Sequence, residues 1–258
     1  MLACEQTIQN PDWPEHDEKF VVTGYVRIQD DSLFSFCRVT RTLPLRSSMY
    51  NPDEATVDDA TVELRSSMEN IPFQHHPGGV KMYNYTAVAA NSGASSYTIH
   101  VEGSHRTARA TVDVDDLPLY FEQSTIERYD ATGYILQAVM PSEFVAGDYD
   151  MILEILPPGG HYWIEQTFRH DVSLYYDAVI KRFRLIVYFY FEADKVHWKK
   201  RYKLIARSRE YDDYRHAIYS GWNSGGPFEG EMKNPPFNVT GNGIGFFWYE
   251  RVGEPVEF

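Results

Sequence analysis

Apolar and polar residues alternate with a period of two along most of this chain, the spacing of strands buried on one face. KFVVTGYVRI (19–28) opens the pattern with β-branched and aromatic residues. Asp30-Asp31-Ser32 makes a turn, and LFSFCRVTRT (33–42) follows as a second strand. ATVELRS (60–66), KMYNYTAVAA (81–90), YTIHVEG (97–103) and RTARATVDV (106–114) continue the series. A Pro-, His- and Gly-rich stretch, IPFQHHPGGV (71–80), reads as a loop ahead of the fourth strand. Short strands at this regular spacing predict an antiparallel sandwich.

Asp115-Asp116-Leu117-Pro118 interrupts the pattern and reads as a boundary. Beyond it come longer strand-like runs: TGYILQAVM (132–140), DYDMILEIL (148–156), HYWIEQTF (161–168), FRLIVYFYFEA (183–193) and VHWKKRYKLIARS (196–208). SREYDDYRHAIYSGW (208–222) changes period. Tyr211, Tyr214, Ala217 and Ile218 recur at helical spacing, Ser208 stands as a capping residue, and Gly221 as the stop. After a Gly/Pro/Asn-rich stretch, GIGFFWYERV (243–252) reads as the last strand. The expected fold is therefore all-β and mainly antiparallel. It divides into a polar lead-in (1–18), a first sandwich (19–118) and a second β-rich unit (119–258) with one short helix near 208–221 and a Gly/Pro-rich carboxyl loop.

Composition sharpens this. Aromatic residues make up 15% of the 258 positions, with 19 Tyr and 15 Phe, a bias that suits pleated, half-buried surfaces. The net charge of −13 excludes the basic footprint of a nucleic-acid binder and any electrostatic pull toward an anionic lipid surface. Two cysteines, Cys4 and Cys37, make neither a disulfide framework nor a zinc motif. Cys37 lies in an alternating run and reads as a small buried hydrophobe, with a Cys4–Cys37 disulfide as the alternative.

No reaction chemistry stands out. His75-His76 sit side by side, but neighbours on a strand point to opposite faces, so a shared metal ion needs a special turn. His161, Glu165 and His170 match no ligand spacing, and the chain contains no GxSxG elbow. The Gly-rich segments precede strand residues rather than the helix a phosphate cradle needs. The carboxylate pairs Asp58-Asp59, Asp115-Asp116 and Asp212-Asp213 read as solvated loop charge, not as glycosidase acids or calcium ligands. Trp163, Trp198, Trp222 and Trp248 read mostly as core, with one or two available to stack on a sugar. Asn238-Val239-Thr240 fits an N-glycosylation acceptor. The expectation is no catalytic residues, no cofactor and no metal.

The amino terminus carries the one attachment signal. Met1-Leu2-Ala3-Cys4 looks like the end of a bacterial lipobox, which makes Cys4 the candidate lipid-attachment residue and the polar stretch after it a tether. EKFVVTGYV, ATVDDATVELRSS, SSYTIHVEGSHRTARATVDVDDLP, LIARSREYDDYRHAIYS and GGPFEGEMKNPPFNVTGNGIGFFWYERV resemble, over about residues 19–250, a family of uncharacterised Bacteroidota-type outer-membrane lipoproteins. Phe247-Trp248-Tyr249 departs from the family's smaller residues at that point. The resemblance implies an immunoglobulin- or transthyretin-like first sandwich, a lipid-anchored place at the outer membrane, and association with a β-barrel receptor of the TonB-dependent kind. It brings no catalytic residues. The function expected is that of a non-catalytic accessory or binding subunit. A carbohydrate-binding or adhesion module with a glycan as partner is the alternative, and a glycan-active enzyme stands behind both.

Overall fold

The computed structural model describes residues 17–43, 55–80, 83–144, 149–166, 171–208, 210–211, 213–215, 217 and 236–258. Among them the chain is all-β and mainly antiparallel, with a short helix toward the carboxyl end. Strands are numbered in chain order. The largest sheet runs β12 (Ile164–Gln166), β11 (Tyr149–Leu156), β15 (Lys199–Arg207), β17 (Gly243–Val252), β1 (Phe20–Gln29), β2 (Ser32–Arg41), β6 (Tyr83–Ala90), β5 (Gln74–Val80), with β18 (Val256–Glu257) beside β15. A second sheet runs β16 (Thr240–Gly241), β8 (Arg106–Asp113), β7 (Ser96–Gly103), β3 (Thr61–Arg65), β4 (Asn70–Pro72). A third runs β13 (Asp171–Asp177), β14 (Arg182–Tyr190), β10 (Gly133–Val139), β9 (Gln123–Arg128).

One face of the large sheet carries both cores. Alternation in β1 and β2 turns Val22, Val26, Leu33, Cys37 and Val39 inward against Val62, Leu64, Tyr97, Ile99 and Val101 of the second sheet. Farther along the same sheet, Leu153, Ile155, Tyr202 and Leu204 meet Leu136, Ala138, Leu185, Val187 and Phe189 of the third. Each such side chain contributes about 1.5–3 kcal/mol on full burial. The large sheet is thus the shared wall of two sandwiches.

β17 is the seam. It pairs in parallel with β1 over ten residues, from Phe20–Gly243 to Gln29–Val252, and antiparallel with β15 from Ile205–Val252 to Arg207–Glu250. Phe247 and Tyr249 enter the first core although they follow residue 118 by a long stretch of chain. Tyr249 donates to Asp115 Oδ2 at 3.3 Å, and Arg251 donates to the Asp115 carbonyl at 2.7 Å and pairs with Asp116 at 3.0 Å. The residues read as a boundary are therefore bolted to the last long strand.

The opposite face of β17 carries Phe246, Trp248 and Glu250. Glu250 is buried and takes Arg27 of β1 (2.5 Å) on one oxygen and Arg207 of β15 (3.1 Å) on the other. Trp248 stacks on Tyr25 at 5.2 Å between ring centres, and Tyr214 of the helix stacks on Phe246 at 4.3 Å. Tyr25, Phe36 and Tyr83 extend the ring cluster across the sheet. Burial raises the phenol pKa of Tyr25 and Tyr214, and that of Tyr83 to about 12. Phe247 and Tyr249 thus build the first core, and Trp248 between them feeds this cluster.

Several expectations change. IPFQHHPGGV is strand, not loop: it supplies the end of β4 and all of β5, an edge strand where Pro77 removes no needed ladder bond. The segments of β9 and β13 were not anticipated: β9 is polar and largely exposed, and in β13 Leu174, Tyr175 and Tyr176 follow one another without alternation. Ser208, expected to cap the helix with its hydroxyl, instead accepts the Tyr249 amide at 3.0 Å, while its carbonyl accepts Tyr211 N at 2.9 Å. Residues 209, 212, 216 and 218–222 of the expected helix, Gly221 included, lie outside the described residues.

Two substitutions test the seam. Gly245 sits at φ 131°, and a Cβ there would lie 1.9 Å from the Val22 carbonyl oxygen of the paired strand. Gly245→Ala should cost about 2–4 kcal/mol, read as a fall in the urea midpoint. Glu250→Gln leaves two guanidinium groups without their buried counter-charge and should cost about 3 kcal/mol. A midpoint within error of wild type in either case would mean the seam is not the constraint described.

Candidate functional site

The third sheet packs one face on the second core and leaves the other to solvent. Register puts Gln123, Val139, Arg184 and Tyr175 in one row across β9, β10, β14 and β13. Thr125, Gln137 and Ile186 form the next row. These side chains line a shallow depression of about 130 Å³ with Ser124, Ala138 and Leu185 below. Gln123, Thr125, Gln137 and Tyr175 are exposed, whereas Val139, Arg184 and Ile186 are half-buried and form its floor.

Arg184 is held in place. Its Nε donates to Asp177 Oδ2 at 2.7 Å, and Asp177 Oδ1 accepts the Val179 and Ile180 amides at 2.9 and 3.3 Å. Those two amides, followed by Arg184, hold the Asp177 carboxyl below its ordinary value. The two rows therefore offer two primary amides, a hydroxyl, an oriented guanidinium and a phenol ring around the apolar Val139 and Ile186. Amides donate and accept at once, and an aromatic ring stacks on an apolar face. The set suits a neutral, hydroxyl- or carbonyl-rich ligand. A volume of about 130 Å³ is below the ~300 Å³ at which pockets enclose a whole small molecule. It fits one residue of a larger chain.

The residues singled out from the sequence do not gather here. Cys4 lies outside the described residues. Cys37 is a free, fully buried thiol, as the buried-hydrophobe reading expects, and burial pushes its pKa up. His75 faces Asp58 at 3.0 Å and His76 faces Thr86 at 2.7 Å, so the two rings have separate partners. Among the described residues no group of three or more His, Cys, Asp and Glu is arranged to hold a metal. His161 is exposed and His170 lies outside the described residues. Asp212 and Trp222 are outside them as well. Trp248 is buried, Trp198 is half-buried beside the second core, and Trp163 lies half-buried under the Arg201 guanidinium at 4.2 Å. Among the described residues the exposed rings are six tyrosines, Tyr120, Tyr129, Tyr162, Tyr175, Tyr176 and Tyr190, and Phe237.

Asn238, the glycosylation candidate, is half-buried and structural. Its Nδ2 donates to the Phe247 carbonyl at 2.6 Å and its Oδ1 accepts the Phe247 amide at 2.9 Å, replacing a strand neighbour along β17. Elsewhere, buried charge is satisfied locally. Lys200, whose pKa burial lowers, donates to the Val196 and Trp198 carbonyls at 2.6 and 2.7 Å and lies 4.7 Å from the Phe191 ring centre. Glu154 takes both Arg201 and Lys203.

The depression was legible only as two breaks in apolar runs: Gln137 in GYILQAV and Arg184 in RFRLIVYFY. A long polar side chain in such a run marks the solvent face of a sheet. Gln123, Thr125 and Tyr175 came from strands the alternation did not reveal.

No family model matches the chain, and no curated protein matches it. Among solved structures, a marsupial T cell receptor is similar at 6% identity and a TM-score of 0.24, over 72% of this chain and 91% of that one.

Asp177 gives the site a pH signature. Its folded pKa lies below the ordinary 3.8, so its cap on the turn is fully made above that value and is lost as pH falls through the lower folded value. The Val179 and Ile180 amide resonances should shift together with a midpoint below 3.8. A midpoint at or above the ordinary value would mean that the carboxylate does not hold the turn.

Proposed function

We propose that this protein is a non-catalytic binding subunit of the bacterial cell envelope. In this reading it docks on an outer-membrane β-barrel receptor of the TonB-dependent kind, tethered through a lipid on Cys4, and its first sandwich is of the immunoglobulin or transthyretin type. The observation that carries the binding role is the outer face of the third sheet. There the amides of Gln123 and Gln137 stand exposed beside Tyr175 around a half-buried, oriented Arg184, while Glu250, Glu154 and Lys200 are engaged within the fold. Binding residues presented on a rigid scaffold fit recognition. The envelope setting is supported by the lipobox-like Met1-Leu2-Ala3-Cys4 and the extended family resemblance.

A second reading, glycan recognition, is favoured by the same depression. Its amides, hydroxyl and ring are what a sugar residue engages, and its volume suits one residue of a chain.

One pair of proteins tests both readings: the full chain and its Gln137→Ala/Tyr175→Ala variant. Affinity capture from native envelope membranes should recover a large β-barrel receptor, with at least about tenfold less on the variant. Recovery of the protein alone would sink the accessory reading. Calorimetry of the same pair against soluble oligosaccharides decides the second. Heat with wild type that is lost in the variant supports it, and no heat with any glycan disposes of it. Mass spectrometry of the native protein should find Cys4 acylated, and an unmodified Met1 would remove the anchor.

A further inference from the structure

Among the described residues, hairpin turns follow ordinary turn chemistry, with one exception. Asp30-Asp31 joins β1 to β2, and Ser104-His105 joins β7 to β8, with positive φ at Asp30, Ser104 and His105. Between β9 and β10 the turn begins at Asp130, whose Oδ1 accepts the amides of Thr132 at 2.7 Å and Gly133 at 2.6 Å. The turn between β13 and β14 is built the same way: Asp177 Oδ1 accepts the amides two and three residues on. Where the first of this pair has Ala131-Thr132-Gly133, the second has Ala178-Val179-Ile180. The backbone construction therefore does not call for apolar residues at 179 and 180.

Their cost is visible. Val179 is 90% exposed and Ile180 37%. Lys181, which follows, holds φ at 54° without being glycine. The tip is nonetheless braced: Arg184 pins Asp177, and Tyr176 meets the Phe183 ring edge-on at 5.5 Å. Around this end of the sheet lies a second tier of amphipathic rings. Tyr175 and Tyr176 are 45% and 54% exposed, and Tyr120 precedes the start of β9 at the same end. An apolar tip with tyrosines one tier behind it matches the layering of a lipid interface, acyl chains outermost and headgroups next. Charge does not drive it. Lys181, Arg182 and Arg184 are balanced nearby by Glu122, Glu143 and Asp177, and the whole chain is at −13.

We infer that the β13–β14 hairpin is a membrane-contacting tip, inserting Val179 and Ile180 among the acyl chains with Tyr175, Tyr176 and Tyr120 at headgroup depth. The inference stands on this end of the third sheet and holds whether or not Cys4 carries a lipid. The occupant is a bilayer without net charge, since nothing in the tier selects an anionic headgroup.

The test uses the full chain, unlipidated, with Cys4→Ser and Val179→Cys carrying an environment-sensitive fluorophore. Cys37 stays unlabelled because it is fully buried with its pKa pushed up. Phosphatidylcholine vesicles should shift the emission to the blue, and quenchers placed on the acyl chains should dim it. The same fluorophore at Val88→Cys, 68% exposed on β6, should show neither effect. In co-sedimentation, Val179→Asp should lower the vesicle-bound fraction by about tenfold or more. No shift at 179, or an equal shift at 88, overturns the inference. So does a shift that needs protein-containing envelope vesicles and is absent with pure lipid, which would assign the tip to a protein socket.

Discussion

Glu250 is the point on which this architecture turns. A carboxylate buried in a sheet interior is costly unless it is paired. Here it is paired twice, to Arg27 on one flanking strand and Arg207 on the other. The two guanidinium groups come from opposite sandwiches, so a single side chain on β17 holds both to one sheet. Remove the seam and β1 loses its parallel neighbour, the second sandwich loses its connection to the first, and the ring cluster loses Phe246 and Trp248. Ion pairs of this kind add little net stability over a well-packed apolar trio. What they supply is register: only one alignment of three strands brings the acid between the two bases.

The large sheet divides its labour by face. The inner face is apolar along its length and serves two cores. The outer face is polar at one end, where Glu154, Arg201 and Lys203 cross the strands, and aromatic at the other, where Tyr25, Trp248 and Phe246 are roofed by Tyr211 and Tyr214. The free stretch of β17 is closed by side chains standing in for a strand: Asn238 on Phe247 and Ser208 on Tyr249. An unpaired strand edge invites wrong partners, and these two residues leave no gap at that place.

Much of this was readable. β1, β2, β7 and β8 alternate so cleanly that their strands follow from the letters alone, and Cys37 sits where a buried position was expected. The rest was hidden for physical reasons. Edge strands such as β5, β9 and β13 carry polar residues, Pro or Gly because one side needs no ladder, which erases the periodic signal. β17 was recognised as a strand, but its place beside β1 depends on a pairing across 223 residues that local pattern cannot encode. Ser208 and Asn238 were read through short motifs, a cap and a glycosylation acceptor, while tertiary contacts gave both another use. The depression on the third sheet needed all four strands in register before Gln123, Gln137, Arg184 and Tyr175 became neighbours.

The parallel pairing of β1 with β17 also sets an order in time. Synthesis delivers β1 more than two hundred residues before the strand it pairs with in parallel. The second core is nearly complete once Leu204 has been made, whereas the first still waits for Val239, Phe247 and Tyr249. Contacts this distant in sequence form slowly. Until then β1 presents ten residues of open backbone to its surroundings, so the sandwich that is written first is the one that closes last.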